Sequence, residues 1–195
     1  VTASSGMARR RRIGPPGFAR TRHLTGRRWT MGEPGGPMPD DRLLAALAAD
    51  MPARRKSSNY PAPFAERVAG RTKQALGDRF GIRSFGVNRT TLAPGAQTAL
   101  LHRHEVQDEL VYVLEGAPLL RTDAGEVRLA PGMVAGFPAN GPAHHIVNDT
   151  DTPVALLEIG DRQPGDGAVY PEDDLVATQL PDRTWAFHRK DGTPY

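Results

Sequence analysis

His102-Arg103-His104-Glu105-Val106-Gln107-Asp108-Glu109 runs directly into Leu110-Val111-Tyr112-Val113-Leu114, and this stretch decides how the rest of the chain is read. Residues two apart on a strand project from the same face, so His102 and His104 can grip one ion. Glu109 has the wrong parity to share that face directly. The polar connection from Glu105 to Asp108 can reset the register, however, and return the Glu109 carboxylate to the same centre. Asp108 is its rival; Glu109 is preferred because its longer side chain reaches further and aspartate suits a turn. The run 110–114 is apolar on both strand faces, so one face should line an interior and the other should be covered. The cover is expected from the 40–80 segment or from a second subunit.

Working outward, five of the six histidines lie after residue 100, and four of them form two tight groups, His102/His104 and His144/His145. His144 follows a Gly/Pro-rich corner some 35 residues after Glu109 and supplies a distant fourth ligand. From about Ile82 the chain consists of short runs rich in Val, Leu, Ile and Thr, separated by turn signals every 8 to 12 residues or so. Those turns are Pro94-Gly95, Asp123-Ala124-Gly125, Pro131-Gly132, Asn140-Gly141-Pro142, Asp149 to Pro153 and Asp191-Gly192. The strands expected between them are 82–92, 96–104, 109–115, 118–122, 126–130, 133–137, 143–148 and 153–159. Leu92-Ala93-Pro94-Gly95 recurs as Leu129-Ala130-Pro131-Gly132, and Pro followed by Gly suits a type II turn.

The totals agree with an all-β domain. The chain has 195 residues, with 21 Gly, 18 Pro and 38% hydrophobic residues, punctuation that helix bundles rarely tolerate. It has no cysteine, which excludes disulfide scaffolds, Cys-ligated zinc, iron–sulfur clusters and thiol nucleophiles, and fits a cytoplasmic location. No apolar run approaches the ~18 to 20 residues of a membrane span.

Charge is uneven. Residues 1–40 hold eight arginines against Glu33 and Asp40, a net of +6, which leaves −3 for the remainder of a chain at +3. Residues 1–38 have Arg9 to Arg12, Gly/Pro-rich patches and no apolar periodicity, and are read as a disordered basic tail. A nucleic-acid-binding arm and an Arg-rich targeting peptide are the functional readings of that tail. An export signal fails because no apolar region follows the arginines. The plainer reading is a solvated segment upstream of a true start at Met31, Met38 or Met51. Asp40 and Asp41 ahead of Leu43, Leu44, Ala46, Leu47 and Ala48 predict one short helix, and a second helical turn is expected near Phe64 to Leu76.

The residues Gly95, His102, His104, Glu109 and Gly116 resemble the first motif of the cupin superfamily. Gly132, Pro138, His144 and Asn148 resemble its second. The spacing departs in two places: six residues separate Gly95 from His102 where five are usual, and Asn140 stands where the second motif has Gly, with Gly141 one place late. Tyr60-Pro61, Phe85-Gly86-Val87, Leu157-Glu158-Ile159-Gly160, Tyr170-Pro171 and the ending Lys190 to Tyr195 are similar to a bacterial single-domain cupin subfamily of largely unassigned function. The resemblance implies an all-β cupin jelly-roll β-barrel with short N-terminal helical segments and the disordered basic tail. The divisions are 1–38 for the tail, 39–80 for a helical or extended segment, 81–162 for the barrel and 163–195 for an extension packing on it. It also implies one divalent transition metal on His102, His104, Glu109 and His144.

Fe, Mn, Ni, Cu and Zn all suit three nitrogens and one oxygen. The metal points to chemistry on a small oxygen-rich metabolite, by Lewis-acid or oxygenase action, as in an isomerase or dioxygenase. A non-catalytic small-molecule or metal-sensing module is the alternative, and no catalytic acid or base is assigned. A homodimer is expected, and neither nucleic acid nor membrane is an expected partner. His145, on the opposite face of its strand from His144, is read as a surface or supporting residue, and His188 as a surface residue beside the final turn. Glu158 is read as either a buried base or a solvent-facing acid, and Tyr112, Met133 and Phe137 as core or pocket lining.

Overall fold

The computed structural model describes residues 45–56 and 58–195; the tail expected over 1–38 and the start of the first expected helix lie outside them. The strands are β1 (Arg71–Ala75), β2 (Phe85–Leu92), β3 (Arg103–His104), β4 (Glu109–Glu115), β5 (Leu119–Thr122) and β6 (Gly125–Arg128), followed by β7 (Val134–Phe137), β8 (His144–Val147), β9 (Val154–Asp161), β10 (Gly167–Tyr170), β11 (Leu175–Gln179) and β12 (Trp185–His188). Among the described residues they form a five-stranded sheet in the order β1-β2-β9-β4-β7, a four-stranded sheet β12-β11-β10-β3 and a three-stranded sheet β6-β5-β8. The pairings are antiparallel. No helix of the described residues is long and apolar enough to cross a membrane.

Strand periodicity sorts β4 as its sequence requires. Val111 and Val113 are buried, whereas Leu110 and Tyr112 are each 39% exposed on the opposite face. The buried face joins Leu92, Leu120, Leu129, Phe137, Ile146, Val154 and Leu156 in one core, which ties the five-stranded sheet to the three-stranded one. A second core of Phe64, Val68, Leu100, Ala168, Tyr170, Leu175 and Ala177, flanked by Tyr60, Trp185 and Phe187, joins the C-terminal strands to residues 60–68.

The repeated Leu-Ala-Pro-Gly corners are alike in backbone. Ala96 N donates to Ala93 O at 3.0 Å and Met133 N to Ala130 O at 3.0 Å, each closing a four-residue turn. Gly95 and Gly132 take positive φ of 78° and 89° at the third position, as a Pro-Gly type II turn demands. Asn140, standing in for the motif glycine, takes φ 57°, a left-handed conformation that asparagine tolerates better than most residues. Its Nδ2 donates to Glu105 O at 2.8 Å and its backbone N to His104 O at 2.8 Å, so the substitution also pins this corner to the histidine-bearing segment.

The N-terminal helices are a correction. Residues 45–47 are not helical, and a single 3-10 turn, Ala48–Asp50, follows. Met51 is extended, the conformation its neighbour Pro52 favours, and this ends the turn. Between Phe64 and Leu76 only the 3-10 turn Glu66–Val68 forms; Gly70, at φ 79°, then redirects the chain into β1, which pairs with β2. The expected strand 96–104 is also reduced. It contributes isolated bridges at Gln97 and His102 and the two-residue β3. Four strands outside the expected set, β1 and β10 to β12, are present.

Asn148 holds the corner after β8 together from the inside. It is fully buried, its Nδ2 donates to Leu92 O at 3.0 Å and Thr152 O at 2.8 Å, and its Oδ1 accepts from Thr150 N at 3.1 Å. Asn148→Ala would orphan these groups and should cost about 2 to 4 kcal/mol. Urea unfolding measures this, with metal content per folded molecule expected to stay unchanged. A loss under about 0.5 kcal/mol would show that the network contributes no more than an ordinary surface contact.

Candidate metal centre

His102 and His144 meet across a close backbone pair: His102 N donates to His144 O at 3.2 Å and His144 N to His102 O at 2.7 Å. This bridge brings the distant histidine beside the local pair. His102 and His104 lie two apart, with ring centroids 5.0 Å from each other, and the His102 and His144 rings are 5.1 Å apart. Glu109 opens β4, paired with Phe137 of β7 and Gly160 of β9. Its Oε2 lies 3.0 Å from His144 Nε2, 3.7 Å from His104 Nε2 and 3.9 Å from His102 Nε2. The four residues named from the sequence are thus gathered around one carboxylate oxygen.

The other ring nitrogens are spoken for. His102 Nδ1 faces Leu100 O at 2.9 Å and His104 Nδ1 faces Asp166 Oδ2 at 2.5 Å. Carbonyl and carboxylate oxygens only accept, so each Nδ1 carries the proton and each Nε2 lone pair is turned toward Glu109. His144 has Nδ1 3.3 Å from Pro142 O and presents Nε2 to Glu109, where a cation can replace a shared proton. Its ring stacks on Phe137 at 3.5 Å between centroids. Donor atoms of His102, His104 and Glu109 all lie within 4.8 Å of one another, and three imidazoles with one carboxylate suit a divalent transition ion. Nothing in this donor set conflicts with such an ion.

The charges are tuned to match. Burial, above all, lowers His102 to about 3, so the ring is neutral and available as a ligand at neutral pH. Burial alone would raise the Glu109 carboxyl, but the hydrogen bond with His144 and the neighbouring His102 and His104 hold it well below the usual carboxylate range. Burial also acts to lower His104, yet the hydrogen bond to Asp166, followed by the charge of Glu109, leaves it raised.

Asp166 was not legible as a site residue. It is fully buried, and besides His104 its Oδ1 accepts from Val106 N at 2.9 Å and Gln107 N at 3.3 Å, which fixes the connection leading to Glu109. His102, His104 and Glu109 line an open cavity of about 210 Å³ whose walls include Tyr60, Tyr170, Trp185 and Phe187. His102 is stacked against Tyr170, with centroids 5.8 Å apart, and His104 lies edge-on to Trp185. Burial raises both Tyr60 and Tyr170, which also hydrogen-bond each other, so both phenols stay protonated.

The structure decides between the readings left open for the remaining residues. His145 is not a surface residue: it is buried, with Nδ1 3.1 Å from Ala99 O, on the strand face opposite His144. His188 is half-buried in β12. Glu158 does not face solvent; its Oε2 accepts from Lys73 Nζ at 2.7 Å and from Thr90 Oγ1. Tyr112 and Met133 are outside the cavity and each 39% exposed. Asp108 Oδ1 accepts from Ala139 N at 2.8 Å, an exposed loop contact.

The match to known proteins follows the same region. Residues 88–160 match the cupin domain family. The structure is similar to that of a sugar phosphate isomerase from a cupin superfamily, from Silicibacter pomeroyi, with 40% sequence identity and a TM-score of 0.71, covering 75% of this chain and 93% of that one. It is also similar to a proposed sugar phosphate isomerase from Acidithiobacillus ferrooxidans, with 30% identity and a TM-score of 0.59, covering 64% of this chain and 80% of that one. A polyketide cyclase from Streptomyces resistomycificus, at 22% identity and a TM-score of 0.52 over 62% of this chain and 80% of that one, shares the fold. None of the curated protein sequences matches the chain.

Proposed function

The chain belongs to the cupin superfamily, and from that premise we propose that it holds one divalent transition metal on His102, His104, Glu109 and His144 and isomerises a small phosphorylated hydroxy-carbonyl metabolite. The observation that carries this reading is the convergence of three imidazole Nε2 atoms on Glu109 Oε2, at 3.0 to 3.9 Å, with two of the three histidines opening onto a cavity. When bound, the ion supplies Lewis-acid polarisation of a substrate oxygen. The chain supplies the rest. Asp166 orients His104, Leu100 O orients His102, and the Tyr60 and Tyr170 phenols offer neutral hydrogen bonds, while Trp185 and Phe187 shield one side of the cavity from water. The likeness to two proteins described as sugar phosphate isomerases favours this chemistry over an oxygenase.

A second reading, a small-molecule binding module, has its own support: among the described residues Glu109 is the sole carboxylate lining the cavity, and it is engaged by histidines. Turnover separates the two. Metal-loaded full-length protein in D2O with aldose and ketose phosphates should exchange the proton beside the carbonyl and interconvert the isomers, followed by NMR. Metal-free protein should do neither. Tight binding of these compounds without exchange, whichever of the five metals is loaded, would establish the module instead.

We also propose that a second copy covers the outer face of β4, where Leu110, Tyr112 and Val134 remain exposed and Phe85 is 41% exposed beside them. Light scattering at micromolar concentration should give a dimer, and Leu110→Glu should give a monomer. A monomeric mass for the unaltered protein would count against that cover.

A further inference from the structure

We propose that Phe137 is a positioning residue of the metal centre, a role that rests on the metal-centre reading above: the face of its ring fixes the plane of the His144 imidazole and favours that imidazole when its Nε2 lone pair is given to a cation. The two rings are parallel to within 2°, with centroids 3.5 Å apart. The contact follows from register. On β7, Phe137 is paired with Glu109 of β4, and residues directly opposite each other on adjacent strands project from the same face of the sheet. Both therefore point to the side opposite Leu110, where His144 arrives on β8 of the three-stranded sheet. The imidazole has the Phe137 ring against one face and Glu109 Oε2 3.0 Å from its Nε2. Phe137 is itself held in place, being buried in the core that contains Val111 and Ile146.

Each ligating histidine needs such a restraint, because rotation about the bond that carries the imidazole is soft. His102 and His104 have it in short Nδ1 contacts, 2.9 Å to Leu100 O and 2.5 Å to Asp166 Oδ2. The corresponding contact of His144, 3.3 Å to Pro142 O, is the longest of the three. Its Nε2 contact to Glu109 is the one that a cation replaces, so it does not orient the ring once the site is filled. The stack supplies the missing restraint, since turning the imidazole out of its plane drives an edge into the Phe137 ring. The electrostatics point the same way. Two uncharged aromatic rings prefer an offset or edge-on arrangement to a parallel face-to-face one. A ring made electron-poor by giving its lone pair to a cation is instead drawn to the negative face of a phenyl group. The parallel geometry is therefore poor for a free imidazole and good for one that ligates.

Calorimetric titration of metal-free full-length protein with divalent Fe, Mn, Ni, Cu and Zn in turn, iron under exclusion of oxygen, tests this through two changes at one position. Phe137→Leu keeps an apolar side chain without a ring face and should weaken binding about 10- to 100-fold. Phe137→pentafluorophenylalanine keeps the ring and reverses the charge of its face; it should weaken binding about 3- to 30-fold. Val113→Ala, a change in the same core on β4, should lower the unfolding midpoint in urea and leave the affinity unchanged. In metal-free protein, proton NMR should show the His144 ring protons displaced upfield by the phenyl face, and the displacement should vanish in Phe137→Leu. Should that variant fail to fold, the pentafluoro ring and the spectrum of the unaltered protein still decide. The role is overturned if the pentafluoro variant binds metal as tightly as the unaltered protein, if Val113→Ala loses as much affinity as the changes at 137, or if no upfield displacement is seen. An unaltered protein that binds none of the metals removes the centre and this role with it. Tight binding that ignores both changes at 137 removes only the role of Phe137 and leaves the centre standing.

Discussion

His102→Ala, His104→Ala and His144→Ala are each expected to bring metal content down to background, while His145→Ala retains most of it. The contrast between neighbours is the informative part. On β8, His144 Nε2 faces Glu109 Oε2, whereas His145 turns to the other face and is held by Ala99 O. Removing a ligand should cost more than the ~10- to 100-fold typical of losing a partner behind a ligand. Glu109→Gln should weaken binding far more than Asp108→Asn, since the first removes a charged oxygen at the centre and the second alters a contact to Ala139 N. Elemental analysis of variants refolded with metal, with circular dichroism confirming retained strand content, measures this. Unchanged metal in the His104 variant, or complete loss in the His145 variant, would sink the assignment.

Asp166→Asn should lower metal affinity by about 10- to 100-fold although Asp166 is not one of the four proposed ligands. The aspartate uses one oxygen for His104 Nδ1 and the other for Val106 N and Gln107 N. An asparagine has one oxygen to offer. If it keeps the two backbone donors, its NH2 faces His104 Nδ1, which must then accept. The proton moves to Nε2 and that atom can no longer ligate. If the amide flips instead, the connection to Glu109 loses its anchor.

The same pair sets a pH dependence. His104 is raised above its ordinary value of 6.5, so in metal-free protein its pairing stabilises fully below that value and is lost as pH rises through the folded-state value. Metal must displace that proton, so affinity should fall on acidification from a pH already above 6.5. Asp166→Asn should move that midpoint downward while reducing the affinity at high pH. A variant with unaltered affinity and midpoint would show that Asp166 serves the loop alone.

Several features follow from local rules and are legible in the sequence by itself. Alternation separates Val111 and Val113 from Leu110 and Tyr112, because side chains on a strand change face at every residue; the fold then buries the first pair. The two Pro-Gly corners turn as written, because proline fixes one dihedral and glycine accepts the positive φ of the next position. The spacing of His102 and His104 put both rings toward Glu109 for the same reason of parity.

What the tertiary structure alone decided depends on pairing between segments far apart in the chain. β1 reads as Arg-Thr-Lys-Gln-Ala, with no apolar alternation, and becomes a strand by adding to the edge of β2. That pairing, together with the hydrogen bond from Arg54 N to Lys73 O, is what brings Arg54, Arg71 and Lys73 to the wall of the cavity that His102 and His104 also line. Asp166 lies 62 residues from His104 and meets it because β10 pairs with β3. His144 reaches the first two histidines through its backbone bridge to His102. Local sequence sets which way a side chain faces; which charges and carboxylates it faces is set by strand order and register, which only the folded sheets determine.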